Sequence, residues 1–170
     1  RILRNLNDNQ AHQISRQIVN LAHEYQCDAI VIENLKYWRP KAGRKRSTMK
    51  MRFHTWFKSS LVERIESKSI EIGIRTLSIY ARGTSSYAYD GTGKVSRDKD
   101  NYTNAKFSTG KRYNADLNAS YNIATRGILK LYYPSLYKQQ WSRGKPNACP
   151  TTGNPLVLSS LWLLTQSKAG

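Results

Sequence analysis

Apolar positions recur along this chain in two periods, one near 3.6 and one near 2, and the two alternate. From Asn7 to Tyr25, the residues Ala11, Ile14, Ile18, Leu21, Ala22 and Tyr25 repeat at steps of three and four. That spacing predicts an amphipathic helix with those side chains as its buried stripe. Asn7, Asp8 or Asn9 can cap its start. Ala29-Ile30-Val31-Ile32 is a continuous apolar run that ends in Glu33 and Asn34. A short run of this kind predicts a strand covered on both faces, as in a parallel sheet. Met51 to Ile72 returns to the helical period, with Phe53, Trp56, Phe57, Leu61, Ile65 and Ile72 on the buried side and Gly73 as the stop. Arg75 to Tyr80 alternates, with Leu77 and Ile79 on one face, which predicts a second strand. Two strands joined by a long helix predict parallel pairing and a right-handed crossover.

From Ala81 to Lys111 the periodicity dissolves. Gly83, Gly91, Gly93 and Gly110, with neighbouring Ser, Thr, Asn and Asp, mark turns. This stretch reads as a long excursion holding a β-hairpin around Tyr87 to Phe107, and a loop of such length in a compact domain is usually functional or mobile. A third helix is predicted from Asn114 to Leu131, with Leu117, Tyr121, Ala124, Ile128 and Leu131 as its apolar stripe. Pro134, Pro146, Pro150 and Pro155 punctuate the rest. The apolar run Leu156 to Leu164 is expected to dock on the core as a short helix or strand. The expected organisation is a core over 1–131 with the excursion at 81–113, followed by a tail over 132–170 that packs on the core or is partly disordered.

Composition changes this picture in one respect above all. Within 170 residues, 28 Lys and Arg oppose 11 Asp and Glu, a net charge of +17 and a pI near 10.1. Solubility needs far less charge, so the excess predicts a polyanionic partner, of which nucleic acid is the usual one. The densest basic stretch runs from Lys36 to Ser47. Lys36, Arg39, Lys41, Arg44, Lys45 and Arg46 are candidate phosphate contacts, and Trp38, beside Tyr37, is a candidate for stacking on an unpaired base. A solvated loop that orders on binding is the plainer alternative. No apolar run in these residues approaches a membrane span or reads as a signal peptide, and a cytoplasmic, nucleoid-associated location is expected. The first residue, Arg1, is expected to lie within a longer protein. Cys27 and Cys149 are too few for a disulfide framework or a four-cysteine metal site. His12, His23 and His54 read as surface or structural residues rather than ligands.

Two carboxylates are the candidate chemistry. Glu33 ends the first predicted strand, where open α/β sheets hold their ligands. Asp116 falls in the first turn of the third helix, where the helix dipole favours negative charge. Taken singly, one is a strand-end carboxylate facing water and the other a helix-start carboxylate. In a parallel α/β layer they would share one sheet edge and hold Mg²⁺, which prefers hard oxygen ligands. Two such ions about 3.5–4 Å apart can promote phosphodiester hydrolysis.

The segment Ile30-Val31-Ile32-Glu33-Asn34-Leu35 resembles the second RuvC motif of the TnpB proteins, transposon-encoded RNA-guided nucleases related to type V CRISPR effectors. Asp116-Leu117-Asn118-Ala119-Ser120-Tyr121-Asn122-Ile123 resembles their third motif. The likeness covers Ala11 to Ile128. It implies an α/β, RNase H-like (RuvC) fold, partial here because its N-terminal strands are lacking. It also implies a guide RNA, a DNA substrate, two Mg²⁺ ions, and Glu33 and Asp116 as two of three metal carboxylates. Two departures stand out. No Gly-Ile-Asp-Leu-Gly stretch supplies the first carboxylate, which would belong to the preceding part of the same protein. Relatives also commonly carry Cys-x-x-Cys pairs for zinc between these motifs, and Thr84 to Asn114 contains no cysteine. No zinc is therefore expected, and a metal-free hairpin would have to hold the excursion. Two other functions stay open: a nuclease-inactive nucleic-acid-binding module, and a basic structural or ribosome-associated protein.

Overall fold

A computed structural model of the chain describes residues 2–35, 48–98, 101–141 and 155–166. These form a mixed α/β protein that gathers into two compact units, Arg1–Leu77 and Ser78–Gly170.

In the first unit, α1 (Ile2–Glu24) leads to β1 (Ala29–Asn34), then to α2 (Thr48–Glu71) and to the start of β2 (Arg75–Tyr80). The two strands form a parallel two-stranded sheet, as a helix-length crossover requires. Gly73 closes α2 at φ +77°, with its N–H donating to Ile70 O (3.1 Å) and the Ile74 N–H to Ser69 O (2.9 Å). A residue with no Cβ takes that left-handed conformation at no steric cost. Ala29 to Glu33 are all half-buried rather than sealed on both faces, a departure from the expectation for β1.

The α1–α2 contact uses only part of the apolar stripe that periodicity indicated. Ala11, Ser15 and Val19 are buried, with Asn7 above them, whereas Ile14, Leu21 and Tyr25 are exposed. The buried positions follow one i, i+4 row, and small side chains along such a row let two helices approach closely. Polar contacts complete the seam. Lys68 Nζ, on a residue only 8% exposed, donates to His12 O (2.7 Å) and to Ser15 Oγ (2.5 Å). Arg64 donates to Asp8 (3.0 Å), to Ser60 Oγ (3.2 Å) and to His12 Nε2 (2.5 Å). On α2, Ile65 and Ser69 are buried, while Ile72, expected inside, lies just past the helix end and is exposed. Phe53, His54 and Trp56 lie outside the described side chains.

The second unit holds the end of β2, then β3 (Ser96–Arg97), β4 (Asn104–Lys106), β5 (Arg112–Asn114), α3 (Ala115–Tyr132), α4 (Pro134–Gln140) and α5 (Leu158–Gln166). Both α4 and α5 pack on α3, so the Leu156–Leu164 run resolves as a helix. Instead of one hairpin across Tyr87 to Phe107, the excursion carries a Tyr87–Lys94 bridge and an antiparallel β3-β4-β5 sheet. Its register pairs Ser96 with Lys106 and Ala105 with both Arg97 and Tyr113. Ala88, Ala105, Phe107 and Ala115 form its buried core, with Tyr89, Val95 and Tyr113 packed around them.

The face of α3 is the largest correction. Leu117, Tyr121, Ala124 and Ile128, read as its apolar stripe, are exposed. Asn118, Asn122, Thr125, Arg126 and Leu129 are buried instead. For Asn118 and Asn122 the cause is what they pack against, the peptide groups of the Thr84–Tyr89 turn, which need hydrogen-bonding partners when removed from water, while Arg126 donates to Tyr80 O and lies over the Trp141 ring. No described helix is long and apolar enough to cross a membrane.

Candidate functional site

Asp116 stands in the first turn of α3 with its side chain in solvent. A carboxylate at this position commonly serves as a cap, but here the neighbouring Asn114 does that work. Asn114 Oδ1 accepts the N–H groups of Asp116 and Leu117, both at 2.9 Å. The Asp116 carboxylate makes no hydrogen bond or ion pair with a described residue.

The helix start is held from two directions. The Ala115 N–H donates to Thr103 O at 2.8 Å, tying it to the turn before β4. One turn further on, Asn118 and Asn122 reach the Thr84–Tyr89 turn. Asn118 accepts from the Tyr89 N–H and donates to Tyr87 O, each at 2.9 Å. Asn122 Nδ2 donates to Thr84 O (2.9 Å) and Tyr87 O (2.8 Å). Both positioning residues fall within the Asp116–Ile123 motif, whose sequence alone does not reveal this role. The available signal was two carboxamides at i, i+4 directly after a turn-rich stretch, since such a pair faces one side of a helix.

Glu33 lies half-buried on β1, at the strand end where it was expected. It belongs to the first unit and Asp116 to the second. Lys36, Trp38, Arg39, Lys41, Arg44, Lys45 and Arg46 lie outside the described residues. Among the described residues, no group of three or more His, Cys, Asp or Glu gathers as a metal cluster. Of the two candidates, Asp116 presents the donor type that Mg²⁺ favours, a solvent-facing carboxylate with no ion pair to a described residue.

Around the excursion, cations and rings lie side by side. Lys106, Lys111 and Arg112 are exposed on or beside β4 and β5, and Tyr102 is 72% exposed at the preceding turn. Arg97 donates to Tyr102 O at 2.8 Å, and Arg112 lies 3.8 Å from Asp98. The His12 imidazole on α1 has its pKa held below 6.5 by loss of surrounding water and then by the Arg64 and Lys68 cations. No protein-family model matches this chain, and no curated protein matches it.

Proposed function

We propose that the chain is part of an RNA-guided, metal-dependent DNA endonuclease with an RNase H-like (RuvC) core, in which Glu33 and Asp116 are metal-holding carboxylates. The observation that carries this reading is the solvent-facing Asp116 carboxylate, relieved of the capping role by Asn114. A carboxylate with no hydrogen bond or ion pair to a described residue, at a buttressed helix start, is suited to hold Mg²⁺ through hard oxygen contacts. Bound there, the ion would neutralise charge developing at a scissile phosphodiester. The chain's own residues do the rest. Asn118 and Asn122 fix α3 against the excursion, the excess of Lys and Arg attracts the phosphate backbone, and the exposed rings offer stacking surfaces. The guide RNA rests on the motif resemblance alone.

A second reading, a nucleic-acid-binding module without cleavage, is favoured by the cations and exposed Tyr102 around the excursion, which serve binding whether or not chemistry follows. Cleavage assays on the full-length protein with Mg²⁺ separate the two. The nuclease reading expects Glu33→Ala and Asp116→Ala to abolish cutting while leaving DNA binding nearly intact. Retained cutting in both variants overturns it.

A further inference from the structure

The excursion encloses a positive charge in an aromatic setting. Lys111 Nζ lies 4.9 Å from the ring centroid of Tyr89, 5.4 Å from that of Phe107 and 5.2 Å from that of Tyr113. The same ammonium donates to the Tyr89 hydroxyl at 3.0 Å and stands 3.8 Å from the Asp90 carboxylate. The rings come from separate turns: Tyr89 from the Tyr87–Lys94 loop, Phe107 and Tyr113 from either side of the β4–β5 turn. They are inclined to one another, Tyr89 to Phe107 by 74°, Tyr89 to Tyr113 by 53° and Phe107 to Tyr113 by 55°. They therefore form walls rather than a stack.

We propose that Tyr89, Phe107 and Tyr113 form an alkylammonium-binding box, filled in cis by Lys111, and that a free primary alkylammonium enters it when that side chain is shortened. Aromatic faces carry the negative part of the ring quadrupole, so the Phe107 and Tyr113 rings favour a cation between them, while Tyr89 meets it at its hydroxyl end. Tyr89 supplies a hydroxyl acceptor and Asp90 a counter-charge at the rim. The Lys111 side chain keeps 43% of its surface exposed, which leaves the box open on the side from which an amine would enter. The hydrogen bond to Tyr89 also raises the Lys111 pKa above its ordinary value, consistent with a site that prefers the charged form.

Two plainer accounts compete: the aliphatic stem merely covers the rings, or the charge merely pairs with Asp90. Thermal unfolding of the full chain, wild type and Lys111→Ala, Lys111→Met and Lys111→Arg, in methylammonium chloride or in sodium chloride of equal ionic strength, tells them apart. In sodium chloride, Lys111→Ala and Lys111→Met are expected to melt about 2–6 °C below wild type, with Lys111→Arg closer to it. Methylammonium is expected to restore at least half of the Lys111→Ala loss, saturably, and to leave wild type unchanged. A Lys111→Met protein as stable as wild type overturns the proposal in favour of the stem. Equal rescue of Lys111→Ala by sodium, or no rescue by methylammonium, overturns it as well. Should Lys111→Ala not fold, the Met and Arg variants decide, and equal melting of the two overturns the box.

Discussion

Asn118 Oδ1 accepts the backbone N–H of Tyr89 at 2.9 Å from a side chain with no solvent exposure. Asn118→Ala would leave that N–H without its partner, a loss worth about 2–3 kcal/mol of stability. Leu117→Ala, one residue earlier on the solvent side, is expected to cost less than about 1 kcal/mol, since half of that side chain is already wet. Urea unfolding of the two variants checks the order, which is the reverse of what hydrophobicity alone would give.

Asp116 and Asn114 are expected to separate chemistry from stability. Asp116→Ala should abolish Mg²⁺-dependent cutting while shifting unfolding by less than about 1 kcal/mol, the size of a helix-dipole contribution. Asn114→Ala should cost about 1 kcal/mol by removing the cap from two N–H groups. Cleavage and thermal melting on the same preparations test both expectations.

The α1–α2 seam is expected to weaken in acid. Arg64 donates to His12 Nε2, which requires that nitrogen to be unprotonated. The pKa of His12 is lowered by loss of surrounding water, then by Arg64, Lys68 and Arg16, against a raising effect of Asp8. A folded-state pKa below the unfolded value means the folded chain binds the proton less well. The stability this contributes is present above pH 6.5 and is lost as pH falls through the lowered value. His12→Gln should flatten that part of the stability–pH profile, measured by melting between pH 7.5 and pH 4.5.

Gly91 sits at φ +83° with Ser159 Oγ 2.7 Å from where a Cβ would be. Gly91→Ala is expected to destabilise by about 1–2 kcal/mol through its left-handed backbone. Ser159→Ala should recover only the contact part of that loss, because it does nothing for the backbone. Melting of the double variant measures the remainder.

Chelation gives a further contrast. The interval from Thr84 to Asn114 has no cysteine, and Tyr89, Phe107, Tyr113 and Lys111 fasten it. EDTA is therefore expected to leave the melting temperature unchanged while stopping any Mg²⁺-dependent cutting. A drop of several degrees in EDTA would show a structural metal.

The sequence located elements better than it assigned faces. Gly73 and the alternation of Leu77 and Ile79 placed β2 over Arg75–Tyr80, and α3 begins one residue after Asn114. Apolar periodicity misjudged α1 and α3 because neither buries its side mainly through large apolar groups. Ala11 and Ser15 are buried by helix approach, Lys68 by donating to a carbonyl and a hydroxyl, and Asn118 and Asn122 by serving peptide groups. Partners so distant in sequence leave no periodic trace. The strands of the excursion are two or three residues long, too short for alternation to reveal. The placement of Glu33 near a strand end and of Asp116 at a helix start was legible because both are local features.

The inverted sides of α3 reverse the usual guidance for anyone altering this helix. Its exposed greasy position Leu117 is open to a polar residue with little penalty, offering a route to a better-behaved preparation, whereas Tyr121 is held against Tyr89. Its amide positions, which look replaceable on paper, are the ones to leave untouched.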